Sequence, residues 1–264
     1  MTPLGIGPRD VLSLARHAQQ VDVPGPLLVG GVLAQQLADA LSAGGDRRLV
    51  ATTGDPAHAV ALVRVVADAP TPEDLAQLRA AARAFVPVVA VQLGDSLEPI
   101  PYVAALDVVH VPAGSGFPLD DIARSLARAI GRDGGPLAAR LPVLRKEFER
   151  RRLFDAAVTS GALAALTRQG GPHLPVLALA QARLLSDLST ITGASAPADT
   201  RSAAESVAPR LAAALATGIV SRGLVRRLPV RGRLVEGAVA AASTLAVGIA
   251  FSRVERAWSV RSGS

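Results

Sequence analysis

The 264-residue sequence contains no cysteine, only 3% aromatic residues and a single lysine, Lys146. Without cysteine the protein cannot form disulfides, thiolate metal sites or a cysteine nucleophile. So few aromatic side chains leave little stacking surface for single-stranded nucleic acid. The formal net charge of +6 comes from arginine, which together with abundant alanine, valine and leucine indicates a high-GC bacterial coding bias. Nucleic acid is therefore not the expected partner.

The sequence gives little support for a signal peptide or for a membrane-spanning helix. The first 20 residues include arginine and aspartate and have no apolar core of signal-peptide length. Mean hydropathy is high, at +0.35. However, the uncharged run at residues 237–251 has 15 residues, whereas a membrane-spanning helix needs about 20. We therefore expect a cytoplasmic protein.

Residues 24–131 alternate between short apolar runs and helical patterns. Thr71 is the expected N-cap of one helix, with Pro72 at its first position and two acidic residues at the positive end of the helix dipole. The alternation predicts a doubly wound α/β sheet. The predicted strands are residues 27–31, 48–52, 62–67, 86–91 and 107–111, and the predicted helices are residues 32–41, 72–84 and 119–130.

A glycine-rich segment, residues 131–136, marks the predicted domain boundary, because strand patterns are absent after it. The helices predicted beyond this segment are residues 145–152, 154–166, 173–193, 205–220 and 234–258. The predicted organisation is an N-terminal arm over residues 1–23, an α/β domain over 24–131, a helical bundle over 137–258 and a tail over 259–264.

The turn after the first predicted strand tests whether the chain can hold a triphosphate. A phosphate cradle has the pattern GxxxxGK[ST], in which backbone amides surround the phosphates, the lysine contacts them and the hydroxyl binds magnesium. Here Gly30 and Gly31 are followed by VLAQQL, so the second glycine, the lysine and the hydroxyl are missing. The dinucleotide pattern GxGxxG also fails, because position 32 is valine. Conventional triphosphate hydrolysis is therefore not expected.

Other catalytic chemistry has little support in the sequence. The four histidines, at 17, 58, 110 and 173, lack the spacing of a metal site. Ser115 lies between two glycines but lacks the GxSxG elbow and an identifiable base. We therefore predict no metal, no cofactor and no enzymatic activity.

Two short segments resemble parts of a small GTPase. Gln92–Asp95 follows a predicted strand as the guanine-reading NKxD motif does, with Asp95 keeping the aspartate and Gln92 replacing the asparagine. Ala113 and Gly114 lie in a loop similar to the SA-containing loop that closes the base pocket. Their order makes residues 24–131 resemble a degenerate Era/Der-like GTPase domain, which implies a P-loop-GTPase-like sheet. The resemblance implies vestigial nucleotide-site positions at Gly30, Gly31, Gln92, Asp95, Ala113 and Gly114.

Residues 150–258 resemble the GTPase-associated helical domain of the YcjF type. That domain is known as a C-terminal companion of bacterial GTPase domains and in membrane-associated proteins, and it has no catalytic residues to carry over. The residues that carry the resemblance are Pro175, Leu177, Gln181, Leu184, Leu185, Gly193, Arg222, Gly223, Leu224, Pro229, Gly232 and Gly248.

A basic segment directly precedes the uncharged run at residues 237–251. Small residues in that run favour a closely packed bundle helix. Arginines beside an apolar helix also suit anionic lipid headgroups, so peripheral contact with a membrane, or a full span, stays open as an alternative. The arginines, which have no acid among them, are Arg222, Arg226, Arg227, Arg231 and Arg233.

These observations predict a non-catalytic pseudo-GTPase that acts as a scaffold or regulatory partner, for instance of an active GTPase. We expect it in the cytoplasm or at the inner face of the cell membrane. One alternative is a nucleotide-binding switch or GTPase with an atypical phosphate site. The other is a membrane-associated helical protein. The sequence does not predict the oligomeric state.

Overall fold

The computed structural model describes residues 25–96, 98–166, 173–192, 237–246, 248–249 and 252. These residues divide into two compact units between Arg151 and Arg152. An α/β fold with further helices, predicted from the sequence, is confirmed within them. The predictions that fall outside the described residues are the arm over 1–23, the helix over 205–220, the arginines of the basic segment and the tail over 259–264.

The first unit contains one sheet of five parallel strands in the order β2-β1-β3-β4-β5. Because β1 lies between β2 and β3, the chain winds outward in both directions, as a doubly wound sheet does. This strand order occurs in several families and therefore does not identify one. The strands are β1 (Leu27–Gly31), β2 (Val50–Ala51), β3 (Ala61–Ala67), β4 (Val88–Leu93) and β5 (Val108–Val111).

Helices pack against the strands of this sheet. Leu78 and Ala81 of the second helix join a buried cluster with Leu28, Leu62 and Val66, whose side chains share one face of the sheet. The helices up to residue 192 are α1 (Ala34–Leu41), α2 (Pro72–Arg83), α3 (Leu119–Ile130), α4 (Gly135–Arg140), α5 (Pro142–Leu166) and α6 (His173–Thr192). Residues 237–246 are also helical.

The helix start predicted at Thr71 is confirmed and is a full capping box. The Thr71 hydroxyl oxygen accepts a hydrogen bond from the Asp74 N–H at 3.2 Å, and the Asp74 carboxylate accepts one from the Thr71 N–H at 2.8 Å. Two backbone donors that a helix start would leave unpaired are thereby satisfied.

Several predicted elements are wrong in extent. Strand β4 covers Val88–Leu93 and not residues 86–91, so Gln92 lies within the strand and does not follow it. Strand β2 is shorter than residues 48–52, because Arg47–Leu49 form a 3₁₀ turn in which the Asp46 carboxylate accepts a hydrogen bond from the Arg48 N–H at 3.0 Å. The helices predicted separately over 145–152 and 154–166 are one helix, α5. The side chains change from mostly charged in the first range to mostly apolar in the second, but no glycine or proline lies between the two ranges to interrupt the helix.

The first half of α5 belongs to the sheet unit. The buried Glu147 carboxylate lies 3.4 Å from Arg124 Nε on α3. The Phe148 ring is fully buried and lies so close to Gly134 that a Cβ there would be 1.9 Å from a ring carbon. Residues that follow the glycine-rich segment therefore complete the core of the α/β unit.

In the second unit, helices pack closely through small residues. Leu153, Leu184 and Leu188 form a buried cluster joined by Leu245. A Cβ on Gly161 of α5 would lie 3.1 Å from the carbonyl oxygen of Gly237, at the start of the helical residues 237–246. The burial of Leu184, Leu188 and Ile191, predicted for one side of α6, is confirmed.

The described residues of the uncharged run have one buried face. Gly237, Ala240, Thr244, Gly248 and Ser252 are buried and follow one another at helical spacing. Across the described part of the chain, no helix has both the length and the hydropathy needed to cross a membrane.

Replacing Gly134 with alanine should destabilise the protein by about 1–3 kcal/mol, because the new methyl group overlaps the buried Phe148 ring. The matched control is Gly116→Ala, where no described atom lies within 4 Å of the added carbon; its unfolding free energy should change by less than about 0.5 kcal/mol. Urea denaturation measures both. Equal effects of the two variants would contradict the packing described for Phe148.

Candidate functional site

A pocket of about 340 Å³ opens at the carboxyl ends of the strands. Open α/β sheets bind their ligands at this edge. The pocket lies between the start of α1, the end of β4 and the loop from β5 to α3. None of the described residues that line it is charged; they are Leu33, Gln36, Leu93, Gly94, Val111, Pro112, Ala113, Gly114, Ser115, Gly116 and Phe117.

The loop after β5 forms one wall of this pocket. The Ser115 hydroxyl donates a hydrogen bond to the Pro112 carbonyl at 2.6 Å, and the Ser115 N–H donates to the same oxygen at 3.1 Å. Gly114 has a φ of 79°, in the left-handed region that favours glycine. Of the site positions predicted from the sequence, Ala113 and Gly114 are therefore the two that line the pocket.

Gly30 and Gly31 lie at the end of β1, and both are explained by close packing. Gly31 has a φ of 95°, and a Cβ on it would lie 1.9 Å from the Val65 carbonyl oxygen. A Cβ on Gly30 would lie 2.5 Å from a terminal nitrogen of the Arg64 guanidinium. Only glycine fits at position 31, and at position 30 a larger residue would displace the Arg64 guanidinium, so neither glycine requires a phosphate.

Arg64 is a charged residue in the interior of the unit. Its side chain is buried, its Nε donates to Asp74 Oδ1 at 2.5 Å, and a terminal nitrogen lies 3.4 Å from a Glu73 carboxylate oxygen. Sheet register places Arg64 beside Gly30 and on the same face of the sheet. The arginine therefore fills the space above Gly30.

The carboxylate of Asp74 is held in its charged form. Burial by itself would raise the pKa of Asp74, but hydrogen bonds from Thr71 and Arg64, together with the Arg64 charge, lower this pKa below its ordinary value. The Thr71 hydroxyl lies 2.7 Å from the second carboxylate oxygen. Asp74 thus caps the start of α2 and compensates the charge of the buried Arg64.

Gln92, at the position of the base-reading asparagine, has no exposed surface. Its Nε2 donates a hydrogen bond to the Asp68 carbonyl at 3.0 Å, and its Oε1 has no partner among the described residues. Sheet register places Gln92 beside Val66, which faces α2. The side chain therefore lies in the interior on that face and does not line the pocket.

Asp95 is exposed and is not part of the pocket lining. It follows Gly94, which has a φ of 96° and lies close to the Asp68 carboxylate. The structure thus brings Ala113 and Gly114 together at the pocket and leaves the other predicted positions outside its lining. The basic-segment positions Arg222, Arg226, Arg227, Arg231 and Arg233 lie outside the described residues.

Several residues of the site were not predicted from the sequence. Leu33 and Phe117 are pocket walls, and neither has a chemical signature of function. Arg64 carried a usable signal, because it interrupts the apolar strand ALVRVVA and two acidic residues follow at a helix start. Within the described chain, no group of histidine, aspartate and glutamate residues could hold a metal ion.

Comparisons of the chain with protein-family models, with curated proteins and with solved structures give no match. The resemblance to an Era/Der-like GTPase domain and to a YcjF-type helical domain therefore stays a prediction.

Replacing Asp74 with alanine should lower the free energy of unfolding by about 3–5 kcal/mol, because the buried Arg64 charge loses its partner. Glu73→Ala is the matched control, since the side chain of Glu73 is 79% exposed and its contact with Arg64 is longer. The control should cost less than about 1 kcal/mol. Similar losses in the two variants, measured by urea denaturation, would show that the buried pair is not needed.

The stabilisation from Asp74 should depend on pH. Because the folded pKa of Asp74 is lowered, its contribution is complete above the unfolded pKa of about 3.9 and falls as pH drops through the folded pKa. The difference in unfolding free energy between wild type and Asp74→Asn should therefore shrink between pH 6 and pH 2. Urea titrations at several pH values check this, and a constant difference would contradict it.

Proposed function

We propose that the chain is a non-catalytic pseudo-GTPase, which acts as a scaffold or regulatory binding partner in the cytoplasm or at the inner face of the membrane. The observation that carries the proposal is the uncharged lining of the pocket at the carboxyl ends of the strands. Sites that bind triphosphates use a lysine, backbone amides and a magnesium ion held by a hydroxyl and a carboxylate. Neither a cation nor a carboxylate lines this pocket in the described chain.

The buried arginine supports the same proposal. Arg64 is a cation near the end of β1, but it contacts Asp74 and Glu73 and lies on the sheet face that packs against α2. At the start of α1, the pocket is lined only by backbone groups and by the side chains of Leu33 and Gln36. A phosphate chain would therefore enter the pocket without a compensating positive side chain.

The order of the segments along the chain supports a GTPase-like origin for the α/β unit. The loop with Ala113 and Gly114 lines the pocket together with the start of α1. These correspond, by resemblance, to the base-closing loop and the phosphate turn. We propose that the loop geometry persists while the groups that bind phosphate have been lost.

Neither Mg-GTP nor Mg-GDP should raise the melting temperature of the full chain at millimolar concentration, and the chain should not hydrolyse GTP. Thermal shift and phosphate-release assays test this, with an active GTPase as the positive control. Nucleotide-dependent stabilisation, or turnover above that of buffer, would overturn the proposal.

The rival function is a nucleotide switch with an atypical phosphate site, and the presence of a pocket at this sheet edge favours it. That function requires Asp95 to read the base, although Asp95 is exposed and outside the pocket lining. Asp95→Asn separates the two. The variant should behave as wild type if the chain is a scaffold, and it should change the preference for guanine if the chain is a switch.

A further inference from the structure

Two of the four aromatic residues of the sheet unit, Phe85 and Tyr102, lie outside its core. The buried clusters between sheet and helices are aliphatic, whereas Phe85 is 93% exposed and Tyr102 is 51% exposed. Burying a phenylalanine side chain normally contributes about 1.5–3 kcal/mol. Phe85 contributes almost nothing of this kind to the fold.

Both exposed aromatic residues also have unfavourable backbone conformations. Phe85 has a φ of 56° and Tyr102 a φ of 66°, in the left-handed region that residues other than glycine rarely adopt. Phe85 follows the end of α2, where its N–H donates to the Ala82 carbonyl and the Val86 N–H donates to the Ala81 carbonyl. Glycine is the usual residue at such a helix end. Glycine at position 85 would therefore stabilise the folded protein more than phenylalanine does.

Both aromatic residues lie near the C-terminal end of α2, where Tyr102 contacts Arg79 and Phe85 follows the last turn of the helix. Arg79 of α2 donates a hydrogen bond from Nε to the Tyr102 hydroxyl at 3.2 Å, and its guanidinium carbon lies 5.9 Å from the centroid of the Tyr102 ring. Arg83 is exposed one helical turn further along α2, two residues before Phe85. We refer to Arg79, Arg83, Phe85 and Tyr102 as the aromatic–arginine patch.

The patch is positively charged. From Leu75 to Gly94 the sequence contains two arginines and no acidic residue. Phenylalanine, tyrosine and arginine are enriched in protein interfaces, and buried aromatic and arginine side chains act there as anchors. Backbone outliers that the fold does not require occur at functional positions. Exposure, strain and positive charge thus occur together at the C-terminal end of α2.

We propose that the aromatic–arginine patch binds an acidic segment of a partner protein, which packs an apolar side chain against Phe85 and places carboxylates beside Arg79 and Arg83. This inference rests on the proposed role as a binding partner and adds the surface and the chemistry of the protein bound. The patch is separate from the pocket, because no residue of the patch lines it.

The decisive variant is Phe85→Gly in the full chain. Because position 85 has a left-handed backbone, this change should leave the melting temperature equal to or above that of wild type. It should nevertheless remove binding. A fall in melting temperature would overturn the proposal, since it would show that Phe85 serves the fold.

The binding probe is a displayed library of random 16-residue peptides, selected on the wild-type chain after depletion on Phe85→Gly. Enriched sequences should combine an apolar residue with flanking aspartate or glutamate. Synthetic versions, measured by fluorescence anisotropy, should bind at least tenfold more weakly to Phe85→Gly and to the Arg79→Ala/Arg83→Ala double variant. Leu106→Ala is the matched control, because Leu106 is 74% exposed and lies outside the patch; it should bind as wild type does.

Three results would overturn the proposal: no peptide that depends on Phe85, enrichment of basic peptides, or binding of a single-stranded oligonucleotide at the patch in place of acidic peptides. Affinity should also fall as salt concentration rises, because exposed charges are screened. Failure here leaves the nucleotide assays unaffected, so this proposal and the pseudo-GTPase proposal can fail separately.

Discussion

The ion pair between Arg64 and Asp74 is the interaction on which most of the sheet unit depends. A guanidinium removed from water is stable only if its charge is compensated, and the compensating carboxylate comes from the first turn of α2. The same carboxylate completes the capping box with Thr71. One interaction therefore joins the middle of β3 to the start of α2 and holds the guanidinium over Gly30.

The two faces of the sheet differ in charge. The buried cation lies on the face that packs against α2, whereas the pocket is lined by residues such as Leu93 and Val111, which belong to the alternate positions of their strands. The pocket lies where open α/β sheets bind ligands, but its described lining has no charged side chain of the kind that binds phosphate. Because the pocket lining is uncharged, a protein partner is expected to bind elsewhere on the chain. At the aromatic–arginine patch, exposed apolar area and positive charge occur together.

Local signals in the sequence were sufficient for the sheet, most helix positions and the N-cap at Thr71, because these depend on periodicity and on neighbouring residues. Contacts between residues that are distant in the sequence could not be predicted from it. Gly30 and Gly31 illustrate the limit. A phosphate turn and a close approach of neighbouring groups both favour glycine, and only the positions of Arg64 and of the Val65 carbonyl oxygen in the structure distinguish the two explanations. Gln92 could be assigned to a motif, but its burial follows from its strand face and register.

The residues at positions 30, 64 and 74 depend on one another. The Arg64 guanidinium occupies the space beside Gly30, and its charge is compensated by Asp74. A side chain at position 30 would have to displace the Arg64 guanidinium, and loss of that arginine would leave the carboxylate of Asp74 buried without its cation. In related sequences we therefore expect positions 64 and 74 to change together, and larger residues at position 30 to occur where the arginine has been replaced.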